Sequence, residues 1–150
     1  MEILNEFIGN KPLITAIIAW AIAQMIKVVI SFILNKKINL KLIFSSGGMP
    51  SSHSAFVTSL ATIIGLEYGF NSIYFSLSAA FAMVVMYDAC NVRRAAGEQA
   101  KAINRIINTL IEQKFIYNEK MMKEILGHSP FQVLIGFVLG IMVGILSKYL

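Results

Sequence analysis

Four long apolar stretches, parted by links that hold most of the charge, constrain this chain more than any other feature. A helix crossing a bilayer needs about 20 mostly apolar residues, with a range of about 17–25. The stretches Leu13 to Leu34, Pro50 to Leu66, Phe70 to Tyr87 and Phe131 to Ser147 meet or approach that length. They predict an all-α, polytopic membrane helix bundle of about four spanning helices. The second and third stretches are joined by the tight link Glu67-Tyr68-Gly69 and should form an antiparallel hairpin. Composition agrees. The chain is 57% hydrophobic and 14% charged, against roughly 45–50% and 25% in soluble domains. Its 150 residues suggest one domain.

The placement of charge predicts orientation. Lys36, Lys37 and Lys41 lie in the link 35–49, and Arg93, Arg94, Lys101, Arg105, Lys114, Lys120 and Lys123 in the link 93–127. Four spans put both links on one side. Basic loops stay in the cytoplasm, so that side is expected to be cytoplasmic with both termini outside. The protein is expected in the cell membrane as a multi-pass protein. The net charge of +5 is explained by this topology, and no basic face with interleaved aromatics suggests a nucleic-acid partner. The first eleven residues hold Glu2, Glu6 and Lys11, which suits a lead into a first span better than a secretory signal. Cys90 is the single cysteine, so no intramolecular disulfide is expected.

The long link has a pattern of its own. Ile103, Ile106, Ile107, Leu110 and Ile111 recur at helical spacing between polar residues. An amphipathic helix is expected, either lying at the interface or capping the spans. A second short helix is expected over Glu119 to Leu126, stopped by Gly127. In the last span Gly136, Gly140 and Gly144 form a small-residue row for close helix packing, within the chain or in a homodimer.

The chemistry-bearing residues gather at the basic side. His53 and His128 are the two histidines, each beside a proline at the mouth of a span. Gly47 and Gly48 allow close backbone approach, Pro50 suits a first helical position, and Ser51, Ser52 and Ser54 add hydroxyls. A helix start of this kind is an anion site. Arg93 or Arg94 suits a phosphate clamp. Asp88 is placed to pair with an arginine or to orient a histidine. Lys27 lies inside the first span on a stripe with Trp20, Gln24 and Ser31, so that face is expected to look inward. No cysteine, histidine or carboxylate cluster has metal-ligand spacing, and neither metal nor cofactor is expected. The set suits metal-free phosphoryl transfer, with one histidine attacking phosphorus and the other protonating the leaving oxygen.

These motifs resemble the divergent branch of the type 2 phosphatidic acid phosphatase and vanadium haloperoxidase superfamily. The marks are Ser46-Gly47-Gly48-Met49-Pro50-Ser51-Ser52-His53-Ser54, Asp88 with Val92-Arg93-Arg94 and Gly97, and Gly127-His128-Ser129-Pro130 with Val133 and Gly136. The resemblance implies that His53 is the general acid and His128 the nucleophile. It implies a phosphate cradle of Lys27 with Arg93 or Arg94, and a lipid phosphate as substrate. The sequence departs from the superfamily in several ways: Ser52 replaces a motif glycine, and an arginine-proline pair after the lysine is missing. Gln132 stands where a carboxylate orients the nucleophile, Met121 and Met122 stand where a serine-arginine pair is usual, and about four spans replace six. Three readings follow: a lipid phosphatase, a phosphate-binding pseudoenzyme, and a small transporter subunit.

Overall fold

The computed structural model describes residues 2–36, 48–113, 121–122 and 127–150. Gly47, Lys37, Lys41, Lys114, Lys120, Lys123 and most of the helix expected over 119–126 lie outside these residues, and Met121 and Met122, the described part of that helix, are not helical. The described residues are helical, without strands. The helices are α1 (Glu2–Gly9), α2 (Lys11–Asn35), α3 (Ser52–Tyr68), α4 (Ile73–Tyr87), α5 (Arg93–Glu112) and α6 (Pro130–Tyr149), with a π-turn, Asp88–Val92, between α4 and α5.

Among the described residues, three helices are long and apolar enough to cross a membrane: α2, α4 with its continuation, and α6. The expected second span is a helix of 17 residues, α3, and it is the center of the bundle. It packs against α6, α2 and α4, while α4 packs chiefly on α3. Its start differs from expectation. Pro50 precedes the helix, and Ser51 is the cap, accepting from the Ser54 N–H. A serine hydroxyl satisfies an open helix N–H, which proline cannot do. The link to α4 is Gly69–Ser72 rather than the expected 67–69. Gly69 takes a positive φ of 91° and Ser72 caps α4.

The α3–α6 contact is built from small residues. Gly136 meets Ser51 and Ser54, Gly140 meets Ala55, Thr58 and Ser59, and Gly144 meets Thr62 and Ser59. A methyl group on Gly140 would lie 2.6 Å from the Ala55 carbonyl oxygen. The glycine row is therefore used within the chain. On α2 the buried face is Thr15, Ala16, Ala19, Ala23, Gln24 and Lys27. Trp20 of the expected inward stripe instead lies at its edge, 37% exposed. Thr15 also shares a 2.6 Å hydrogen bond with Ser147 of α6.

The amphipathic helix is not a separate body laid across the bundle. Tyr87, Asp88, Val92 and Arg93 all keep right-handed helical dihedrals, so α4, the π-turn and α5 form one helix of 40 residues. Its α5 portion rises about 30 Å beyond the turn at 1.5 Å per residue. Gly97, Ala100 and Asn104 are its buried face.

The close α3–α6 seam makes Gly140→Val destabilising. Overpacking costs about 1–3 kcal/mol. Thermal unfolding in detergent should show a clear drop for Gly140→Val and little change for Gly9→Ala, whose added methyl meets nothing. An unchanged midpoint for Gly140→Val contradicts this packing.

Candidate active site

The first turn of α3 is tied to the first turn of α6. The Ser51 N–H donates to the Gln132 carbonyl at 3.0 Å. Ser51 is fully buried, and its hydroxyl takes both the Ser54 N–H and the Ser54 hydroxyl. Ser51 thus builds the turn instead of facing a ligand. Ser52 is buried as well, and its hydroxyl accepts from Lys27 Nζ at 3.2 Å. Lys27 lies inside the bundle, 3% exposed, so the inward placement of this cation holds. Gly48, at φ 88°, lies over the Lys27 stem. A cavity of about 390 Å³ opens beside Lys27, bounded also by Ser31, Asn35, Gly48, Met49 and Gln132.

The two histidines meet. Their ring centroids are 6.5 Å apart at an interplanar angle of 61°. His53 is half-buried on the first turn of α3, and His128 is 3% exposed just ahead of α6. Two contacts seat His128. Its N–H donates to the Ala89 carbonyl at 3.1 Å, and its Nδ1 lies 3.2 Å from Gln132 Oε1. That same oxygen accepts the Ser129 N–H at 3.1 Å, half of a capping box that Ser129 Oγ completes on the Gln132 N–H. The Ser129 donor fixes which end of the amide is oxygen. Nδ1 must then carry the imidazole proton, and Nε2 keeps its lone pair. Nε2 is buried and has no hydrogen-bond partner among the described residues.

The π-turn explains which arginine joins the site. In a turn closed from i to i+5, those residues lie nearly above each other, whereas 3.6 residues per turn would splay them apart. Asp88 and Arg93 are such a pair, and Arg93 Nε donates to Asp88 Oδ2 at 2.6 Å. Asp88 thus holds an arginine and does not orient a histidine. Arg93 lies close enough for its charge to act on His128. Arg94 instead offers its backbone to Gly127, where any side chain would collide with Arg94 N and Cα.

Burial pushes His128 below the usual imidazole range. The hydrogen bond that the ring donates to Gln132 Oε1 opposes this, and the charges of Lys27, His53 and Arg93 add to it. The ring is therefore neutral at neutral pH, the form a nucleophile needs.

Sequence reasoning missed four contributors. Gly127, expected as a helix stop, also lies in close approach to the Arg94 backbone. The Ala89 carbonyl carries no sequence signal. Ser129-Pro130-Phe131-Gln132 is a legible capping-box pattern. Asn104 is the fourth: its amide pairs with both backbone groups of Met122, at 2.9 and 2.8 Å, and ties that residue to α5.

The described residues thus form a helical bundle of membrane-protein character, with two histidines beside a buried lysine and an arginine. The profile of the Divergent PAP2 family matches residues 8–143, and the chain belongs to this family. A Bacillus subtilis (strain 168) protein described as "Uncharacterized membrane protein YuiD" is 42% identical, over 96% of this chain and 98% of its own length. No solved structure matches the chain.

The depressed His128 value carries a pH signature. A group held neutral by folding contributes stability that is full above its unfolded value, about 6.5 for histidine, and is lost as pH falls through the lower folded value. Thermal unfolding at pH 7.5 and pH 5 should show a larger acid loss for the parent than for His128→Gln. Equal losses would contradict a neutral, buried His128.

Proposed function

We propose that the protein is a metal-free membrane phosphatase acting on a lipid phosphate or pyrophosphate. The observation that carries this reading is the unpartnered lone pair of His128 Nε2, set opposite His53. In the first step Nε2 attacks phosphorus and the bond to the leaving oxygen breaks. His53 gives that oxygen its proton. In the second step His53 takes a proton from water, the water oxygen bonds phosphorus, and the phosphorus–nitrogen bond breaks. Lys27 and Arg93 supply positive charge for the phosphoryl oxygens, the electrostatic part of such catalysis. A lipid substrate suits a site at the mouth of apolar helices, and the basic links favor the cytoplasmic side.

A second reading rests on Gln132. Its amide orients His128 without adding negative charge, which makes the imidazolium formed during attack less stable. The same pocket in a pseudoenzyme would bind the phosphate and not turn it over.

Phosphate release from a panel of lipid phosphates tests both readings. The parent should release phosphate, His128→Ala should abolish release, and His53→Ala should slow it by about 10²–10⁴-fold, the usual worth of a general acid. Gln132→Glu should raise the rate. Silence of parent and Gln132→Glu on every lipid, with binding retained, favors the pseudoenzyme. In membrane vesicles the same assay reads sidedness: added lipid phosphate should be consumed by inside-out vesicles, and consumption only by right-side-out vesicles puts the site outside.

A further inference from the structure

The helices flanking α3 leave a cleft that reaches the histidines. Helices α2 and α4 both pack on α3 but form no substantial contact with each other. Between them lies a cavity of about 350 Å³. Its floor is His53, Phe56 and Val57 on α3. One wall is Ile17 and Trp20 on α2, the other Phe81 and Val85 on α4. His53 is the only ionisable group in this lining, and it stands at one end.

The geometry sets the direction of the cleft. Trp20 lies seven residues before Lys27 on α2, about 10 Å along the axis. Lys27 reaches Ser52, at the very start of α3. The cleft therefore begins at the imidazole pair and runs away from the Lys27 level toward the middle of the apolar helices. Ile17, Trp20 and Phe81 are exposed at its sides, so it opens laterally. A second cleft on the other side of α4, about 380 Å³ and reaching Phe137 and Ile141 of α6, contains no ionisable residue. A third cavity, beside Asn10, Tyr68 and Tyr74, lies at the opposite end of α3. Neither leads to a histidine.

We propose that the α2–α4 cleft holds one hydrocarbon chain of a phosphorylated lipid whose phosphate lies at the histidine pair. This rests on the phosphate-site reading above, and it assigns the lipid's apolar part to one of two otherwise similar clefts. The occupant follows from continuity: an apolar slot whose one polar end is His53 suits a molecule with a phosphate head and a hydrocarbon tail. Ordinary bilayer lipid has no reason to prefer this slot over the α4–α6 cleft.

Trp20 is the only tryptophan and lines the cleft, so it reports occupancy directly. The purified protein in detergent is titrated with phosphatidic acid carrying brominated chains, and separately with brominated phosphatidylcholine. Bromine quenches tryptophan only at close range. The phosphatidic acid should quench Trp20 at a concentration about tenfold lower, because only its uncapped phosphate can reach the charges of Lys27 and Arg93, and one hydrogen bond to a charged group is worth at least about that factor. Val57→Phe, which fills the cleft, should remove the preference, while Ala79→Phe in the α4–α6 cleft should retain it. Equal quenching by the two lipids overturns the proposal, as does an unchanged preference in Val57→Phe. Phosphate release from a water-soluble phosphate ester separates the two readings. Release without a quenching preference sinks the cleft and keeps the phosphatase, and a quenching preference without release keeps the cleft in a lipid-binding protein.

Discussion

The site depends on the seam between α3 and α6. Gly136, Gly140 and Gly144 let the α6 backbone sit against Ser51, Ser54, Ala55, Thr58 and Ser59. In lipid no hydrophobic force separates buried from exposed apolar faces, so close van der Waals packing of small residues carries helix association. Hydroxyls on α3 stay compatible with that seam because they bond back to their own helix: Thr58 to Ser54, Thr62 to Thr58 and Ser59 to Phe56. The seam also sets register. With α6 held this close, the Ser51 N–H reaches the Gln132 carbonyl and the two helix starts become one polar cluster.

Each candidate functional side chain in that cluster comes from a different element. Lys27 comes up from α2, His53 from α3, Arg93 from just past the π-turn, and His128 from the segment before α6. The π-turn serves two of these placements: it stacks Arg93 on Asp88, and its Ala89 carbonyl holds the His128 backbone. π-turns within helices often mark functional positions. Here the extra width supplies contacts that an α-helical register would withhold.

Much of this was legible in the sequence, and the rest was hidden for identifiable reasons. His53 and His128 stood out because proline, glycine and serine beside them marked helix mouths. Lys27 stood out because a charge inside a span must have a reason to be there. The choice of Arg93 over Arg94 was not legible, since it turns on a π-turn that Asp88-Ala89-Cys90-Asn91-Val92 does not announce. Without that turn, α5 read as a separate helix instead of an extension of α4. Trp20 was assigned inward by its spacing from Gln24. The smaller Ala16, Ala19 and Ala23 pack closer and leave the indole at the edge of a cleft. Pro50 was read as a helix start, and Ser51 took that role because its hydroxyl satisfies an N–H.

The central claim is that His128 Nε2 attacks phosphorus. It is tested most directly by base-quenching the protein during incubation with a lipid carrying labelled phosphate, then mapping the label. The account predicts a base-stable, acid-labile phosphate on the peptide that contains His128, absent in His128→Ala and accumulating in His53→Ala with an activated leaving group. Turnover with no label on that peptide, or label that persists in His128→Ala, would contradict it.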